Sequence, residues 1–411
     1  MWGCASAQIR GVAGRTFRAV AAAGFALALA ACQTPPPPQA GGSGGGASTG
    51  GPAPATQPAR VDPNGPVILA LLAPTTSSSQ AASRAAQDLV AAAQIAMGEM
   101  APPNLVMKVY DTKGTAAGAA EVAGHAVRDG AAVIIGPLLG EATQAAAPVA
   151  AQAGLTVYSF SNDAEAAGGN VFLLGQLPGD ELRRVLGYAG SQGIGQVAIV
   201  HPADRYGEAV AADARAAGRD AGVGVGPIVS YPRSFEGIQG AAQGGASEIR
   251  SSGAGAVVIA DAGDGLRSMA SFLAYYDLSP NVVKYMGLSR WDDPRNASET
   301  PLQGGWYAAA DPARRAAFGE RFRARMAREP SPLAPIGYDA ASAAIAMLKA
   351  AQAGGPAAFT PAAATARAFE GATGPFRLTP DGLNRRSLAV LEMTPNGPAV
   401  LDPAPGAAPG A

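Results

Sequence analysis

Short apolar runs alternate with longer amphipathic segments along most of this chain, and that alternation constrains the fold more than any other feature. Residues 67–72 form an unbroken apolar run that stops at Pro74, which is typical of a parallel strand buried on both faces. A helix is predicted over residues 80–100, because its apolar residues fall on one face. Since strand and helix patterns take turns as far as residue 158, the sequence predicts a parallel sheet covered by helices.

The alternation starts again near residue 171 and continues to about residue 309. The second unit is similar in size to the first but has a different sequence. Helices are then predicted over residues 313–328, 338–351 and 361–370, and a hairpin over residues 374–401. The chain is therefore predicted to be an α/β protein with two Rossmann-like lobes, each built on a parallel sheet.

The first 65 residues have a different character. Three arginines precede an uncharged stretch over residues 19–31, which is typical of a secretory signal and too short to span a membrane. Residues 32–65 are rich in Pro, Gly and Ser, so we predict a tether without a core. Residues 403–411 are predicted to be a second, shorter disordered tail.

The end of the signal is more specific. Leu29-Ala30-Ala31-Cys32 resembles the lipobox of bacterial lipoproteins. The resemblance implies cleavage before Cys32, acylation of that residue and an anchor on the periplasmic side of the cell envelope. In a bacterium with two membranes, Gln33 after the acylated Cys favours the outer membrane; in a bacterium with one membrane, lipid-anchored solute receptors are common.

Composition and motifs exclude several classes of function. There are 30 Lys and Arg against 31 Asp and Glu, without a basic patch, so no nucleic-acid partner is expected. Two His cannot form a His-rich metal site, and no metal or other cofactor is predicted. No nucleophile elbow, P-loop or metalloprotease motif is present, so we expect a protein that is not an enzyme.

Several segments resemble the type I periplasmic binding fold, specifically its leucine/isoleucine/valine-binding branch. The matching segments lie in the family's order, at residues 111–114, 133–137, 148–161, 204–207 and 338–340. The resemblance implies two lobes joined by three crossover segments, with a ligand cleft between them. Lobe 1 is expected over residues 66–175 plus 308–352, and lobe 2 over residues 176–307 plus 353–402.

Ligands of open α/β sheets bind beyond the carboxyl ends of the strands. Hydroxyl, aromatic and acidic residues follow those ends, and the cleft candidates are Thr75, Ser77, Gly136, Ser159, Ser161, Tyr206 and Asp261. Two positions depart from the family. Gly140 stands where a Ser is frequent, and no Arg follows Phe172 closely. Because both departures remove polar groups that would hold a zwitterion, tight binding of free branched-chain amino acids is not expected.

Two functions remain open. The first is an activator of a penicillin-binding protein, which would stimulate a peptidoglycan synthase by protein contact; Trp291, Trp306 and the helix over residues 314–328 are candidate contacts. The alternative is a substrate-binding lipoprotein that delivers an amino acid or another small solute to an ABC permease. The outer-membrane type of anchor, the long tether and the altered cleft make the activator the preferred hypothesis.

Overall fold

A computed structural model describes residues 61–406. The predicted signal peptide, Cys32, almost all of the tether and residues 407–411 lie outside the described residues. Within the described part, no helix has both the length and the apolarity needed to cross a bilayer. Residues 61–406 also contain no cluster of three or more His, Cys, Asp or Glu side chains able to hold a metal ion.

The first sheet has five parallel strands in the order β2-β1-β3-β4-β5. Its strands and helices are β1 (Val67–Ala73), α1 (Gln80–Met100), β2 (Leu105–Asp111), α2 (Ala116–Arg128), β3 (Ala131–Ile135), α3 (Gly140–Gln152), β4 (Val157–Ser159) and β5 (Val171–Leu173). The run over residues 69–72 is fully buried, as a central parallel strand covered on both faces must be.

The second sheet has seven strands in the order β15-β14-β10-β9-β8-β6-β7, parallel from β10 to β7 and antiparallel at the β14–β15 edge. Its elements are α4 (Pro178–Ser191), β6 (Gln196–Pro202), α5 (Arg205–Ala221), β7 (Gly224–Tyr231), α6 (Phe235–Ser252), β8 (Ala256–Ile259), α7 (Gly263–Tyr275), β9 (Lys284–Gly287), β10 (Trp306–Ala309), β14 (Ala389–Thr394) and β15 (Gly397–Asp402). The predicted α/β class with parallel sheets is confirmed.

A helical segment and a small antiparallel sheet complete the described chain. They comprise α8 (Pro312–Met326), α9 (Ala334–Gln352), α10 (Pro361–Thr365), β11 (Ala368–Gly371), β12 (Gly374–Leu378) and β13 (Asn384–Arg386). The predicted helix over 361–370 is wrong in its second half, because residues 368–370 alternate exposed and buried and pair as a strand with β12. The predicted hairpin over residues 374–401 is confirmed only in part: residues 389–402 pair as an antiparallel hairpin, whereas residues 374–386 belong to the three-stranded sheet.

Local signals in the sequence explain where several helices start. Ser79, Thr115, Asp204 and Ser234 each accept a hydrogen bond from the backbone N–H three residues later. These side chains satisfy N–H groups that the first helical turn leaves without partners. Each cap follows the carboxyl end of a strand, so the caps help to fix the loops that form the edges of the two sheets.

Three short connections, at residues 174–177, 310–311 and 387–388, lead from one sheet region to the other. Side chains between residues 358 and 378, Phe359 and Phe376 among them, belong to the core of the first sheet. The predicted division assigns residues 353–402 to lobe 2. We therefore propose a boundary near residue 387, which places the three-stranded sheet with lobe 1.

Candidate ligand cleft

The carboxyl ends of the first sheet bring Ser159 and Ser161 together behind α3. The Ser159 hydroxyl lies 2.8 Å from Thr143 Oγ1 and 3.0 Å from the carbonyl oxygen of Pro137, and it accepts from the Ser161 N–H at 3.0 Å. Its side chain is fully buried. The Ser159 hydroxyl therefore stabilises the loop after β4 and does not reach the cleft.

Ser161 positions an acid that the sequence analysis did not single out. Its hydroxyl accepts from the Asp163 N–H at 3.0 Å. The Asp163 carboxyl group lies against Gly140, the first residue of α3: a side chain at position 140 would come within 2.9 Å of Asp163 Cγ. Such a distance is far inside van der Waals contact. The glycine at position 140 therefore makes room for Asp163.

The other residues at the carboxyl ends of the first sheet, called the first edge from here on, have partners within the protein. Thr76 donates from its hydroxyl to Asp111, and hydrogen bonds of this kind help to lower the pKa of Asp111, although partial burial acts in the opposite direction. Ser77 accepts from the Ser79 N–H at 3.2 Å. Gly136 is buried with φ +85°, where a side chain would press on the backbone of β1. Thr75 follows β1 in the same loop and is half-buried.

The carboxyl ends of the parallel strands in the second sheet, called the second edge from here on, present a stacked pair of side chains. The guanidinium carbon of Arg290 lies 3.4 Å from the centre of the Tyr206 ring, a cation–π contact. The Tyr206 hydroxyl is buried without a hydrogen-bond partner among the described residues, and burial raises its pKa. Arg290 is exposed, so its planar cation covers the ring from the solvent side.

Asp261 is fully buried at the end of β8. Its carboxylate accepts from the Tyr231 hydroxyl at 2.6 Å and from the Ala262 N–H at 2.7 Å, and it pairs with Arg233 at 2.6 Å. Arg233 also pairs with Asp204 at 3.0 Å. Because these partners surround it, Asp261 can bind a ligand ammonium group only if Arg233 moves.

Glu181 is a buried acid that sequence reasoning missed. It lies in the first turn of α4 and accepts from the Ser289 N–H at 3.1 Å and from the Ser289 hydroxyl at 2.5 Å. Burial raises the pKa of Glu181 to about 7, although the Ser289 hydrogen bonds oppose the shift. The only signal in the sequence is an acid at a helix start, which usually indicates a favourable charge at the helix N-terminus.

Arg205 and Asp163 connect the two edges. Arg205, the first residue of α5 on the second edge, forms an ion pair with Asp163 on the first edge. The Asp163 side chain is 13% exposed and that of Arg205 is 63% exposed. This pair shows that the carboxyl ends of the two sheets face each other.

A cavity of about 460 Å³ lies mainly against α8 and the segment that leads into α9, and neither Arg205 nor Asp163 lines it. Its lining includes Gln176, Ser289, Ala310 and Arg386, which come from or adjoin the short connections between the sheets. Arg386 is buried and pairs with Asp339 at 2.6 Å. A volume of this size falls in the range of small-molecule sites.

The proposed contact residues for a synthase differ in their exposure. Trp291 is fully buried and donates from its ring N–H to the Ile259 carbonyl at 2.9 Å, so it is a core residue and not a candidate contact. Trp306 is half-buried, packed edge-on against Tyr188 and beneath Lys284. Arginines of α8 form ion pairs with nearby acids.

Comparison with known proteins identifies the architecture. The periplasmic binding protein family matches residues 66–398. A putative branched-chain amino acid ABC transporter from Rhodospirillum rubrum is 18% identical, with a TM-score of 0.68, covering 82% of this chain and 100% of that chain. No curated protein matches the sequence.

Two further solved structures are similar. A branched-chain amino acid ABC transporter periplasmic ligand-binding protein from Burkholderia xenovorans is 20% identical, with a TM-score of 0.65, over 82% of this chain and 94% of that one. A solute-binding protein of an ABC transporter from R. palustris, in complex with benzoate, is 19% identical, with a TM-score of 0.58, covering 84% of this chain and 97% of that chain.

These findings correct the preferred hypothesis of the sequence analysis. The family consists of periplasmic binding proteins, the similar structures come from ABC transporters, and nothing among them supports an activator of a penicillin-binding protein. The prediction of a synthase partner is therefore wrong. That prediction relied on the residues after Cys32 and on Gly140. The match to the periplasmic binding protein family, in contrast, extends over residues 66–398.

Proposed function

The chain belongs to the periplasmic binding protein family, and from that premise we propose that it is the substrate-binding protein of an ABC transporter. Members of this family bind solutes and are not enzymes. Membership of the family supports a periplasmic location, and the similar solute-binding proteins of ABC transporters support a small molecule and an ABC permease as the proposed partners. The proposed ligand is an amino acid or another small solute.

The observation that carries this proposal is the ion pair between Arg205 and Asp163. It joins the start of α5, after β6, to the loop after β4, so the carboxyl ends of parallel strands in the two sheets face each other. Sites of open α/β sheets lie at those ends. A ligand held there would contact both edges at once, which is the arrangement that solute capture requires.

The short connections between the sheets would let the two edges move together and capture a ligand. A ligand that touches both edges binds more tightly when they are close than when they are apart, and it favours closure only by that difference in affinity. Arg290, stacked on the Tyr206 ring, offers an exposed cation on the second edge. Ser161 and Asp163 shape the opposite wall.

We further propose that Cys32 carries lipid and anchors the protein to the membrane. The support is the Leu29-Ala30-Ala31-Cys32 segment after a basic and apolar leader. Two acyl chains or more make anchoring stable, whereas one is marginal. Cys32→Ala is expected to release the protein from membranes. Retention of that variant with an unchanged mass would contradict the anchor.

Thermal unfolding with a panel of compounds tests the central proposal. The purified full-length protein is mixed separately with each proteinogenic L-amino acid, with benzoate and with 3-methylbutylamine. A ligand at 100 times its Kd adds about 2.7 kcal/mol to the free energy of unfolding, so at least one compound should raise the midpoint clearly. No shift with any compound, together with failure to co-purify with a permease, would contradict the function.

A further inference from the structure

The carboxyl group of Asp163 fills the space over the start of α3. A side chain at Gly140 would lie 2.9 Å from both Asp163 Cβ and Asp163 Cγ. Leu139, the residue before the helix, gives no side-chain cap. Asp163 therefore places a poorly exposed carboxylate at this helix N-terminus, in addition to the exposed Glu141 of the first turn.

A helix N-terminus at the edge of an α/β sheet favours an anion, because its unpaired N–H groups carry partial positive charge. In a ligand cleft, this is the place that suits a carboxylate of the ligand. Here a carboxylate of the protein lies there instead. A second carboxylate beside Asp163 would meet a like charge in a partly buried place, which is unfavourable.

Arg205 balances the Asp163 charge from the opposite edge. Its side chain is 63% exposed, whereas that of Asp163 is 13% exposed. Arg205 is largely exposed, so a cationic group of a ligand can take its place beside Asp163 at small cost, and an uncharged group can bind there while the ion pair stays intact. A ligand carboxylate gains nothing from the same exchange.

On the basis of the proposed function, we propose that Asp163 determines the specificity of the cleft. The ligand presents a cationic or uncharged group to the N-terminus of α3, and a free carboxylate is excluded there. The acid thus selects amines and neutral solutes over their carboxylated counterparts. Gly140 is part of the same arrangement, because any larger residue at this position would displace the Asp163 carboxylate.

Pairs of compounds that differ only in a carboxylate test this inference. The pairs are 3-methylbutylamine with L-leucine and agmatine with L-arginine, titrated by calorimetry into the full-length protein. For at least one pair, the wild type should bind the amine at least about tenfold more tightly than the amino acid. Asp163→Ser should reverse that preference. Gly140→Ala should change it in the same direction, because the added methyl group pushes the carboxylate aside.

Asp264→Ser is the matched control, since it removes an exposed Asp from the second edge, far from α3 in the sequence. It should leave the preference unchanged. Tighter binding of an amino acid than of its amine by the wild type would overturn the inference while supporting the proposed function. If the wild type binds neither the amine nor the amino acid of a pair, binding of the amino acid by Asp163→Ser supports the proposed exclusion of carboxylates. Failure of that variant to bind the amino acid overturns the inference. The proposed function is judged separately by the compound panel.

Discussion

The two edges that face each other across the cleft are built in different ways. On the first edge, hydroxyl groups are satisfied by their own loops, as Ser159 and Ser161 illustrate. On the second edge, Arg205 and Arg290 reach solvent. The difference suggests a division of roles: the first edge provides a preformed wall, and the second provides most of the groups that can change partners when a ligand arrives.

The largest effect is expected at Asp261, which holds the second edge together. Asp261→Ala removes the partner of Arg233 and leaves the Tyr231 hydroxyl unpaired in a buried place. Loss of the two charge-assisted hydrogen bonds from the Tyr231 hydroxyl and the Ala262 N–H costs about 4 kcal/mol of unfolding free energy. Denaturant unfolding measures it, with the exposed Asp264→Ala as a control that should change stability by less than about 0.5 kcal/mol. Equal effects of both variants would show that Asp261 has no special structural role.

A somewhat smaller effect is expected from the titration of Glu181. Burial raises the pKa of the Glu181 carboxyl group from its ordinary value of 4.5 to about 7 in the folded protein. The folded protein holds this proton more tightly than the unfolded chain. Stability from Glu181 is therefore greatest below pH 4.5, falls between pH 4.5 and about 7, and is constant above. The total change is about 3 kcal/mol.

Glu181→Gln isolates that change, because the amide stays neutral and keeps an oxygen that accepts from Ser289. The difference in unfolding free energy between wild type and variant should shift towards the variant as pH rises from 5 to 8. Urea unfolding at several pH values measures it. A difference that does not depend on pH would mean that the carboxyl group titrates normally.

The first edge should respond less strongly. Ser159→Ala removes a buried hydroxyl that contacts Thr143, Pro137 and Ser161, so about 1.5 kcal/mol of stability should be lost. Ligand affinity should stay the same, because the hydroxyl is fully buried away from the cleft. A fall in affinity without a fall in stability would place Ser159 among the ligand contacts.

The fold could be predicted because its signals are local. The apolar run of β1 and the caps at Ser79 and Asp204 are each contained in a few residues. Local signals also misled at one point. The alanine-rich stretch after Pro361 favours a helix, but Phe369 packs into the core as part of a strand, and tertiary packing prevails.

The polar network of the cleft could not be predicted, because its partners are distant in the sequence. Glu181 and Ser289 are 108 residues apart, and Arg205 and Asp163 are 42 apart. No periodicity or motif connects such residues. Gly140 was recognised as a departure from the family, yet only the structure shows that Asp163 fills the space that its missing side chain leaves.

The most direct test of the unequal roles of the two edges is the compound panel applied to Arg290→Ala and Ser159→Ala. Arg290 is exposed, so its loss should change stability by less than about 0.5 kcal/mol. Compounds that raise the unfolding midpoint of the wild type should lose most of that shift in Arg290→Ala and keep it in Ser159→Ala. Shifts that survive in Arg290→Ala and disappear in Ser159→Ala would contradict recognition by the second edge.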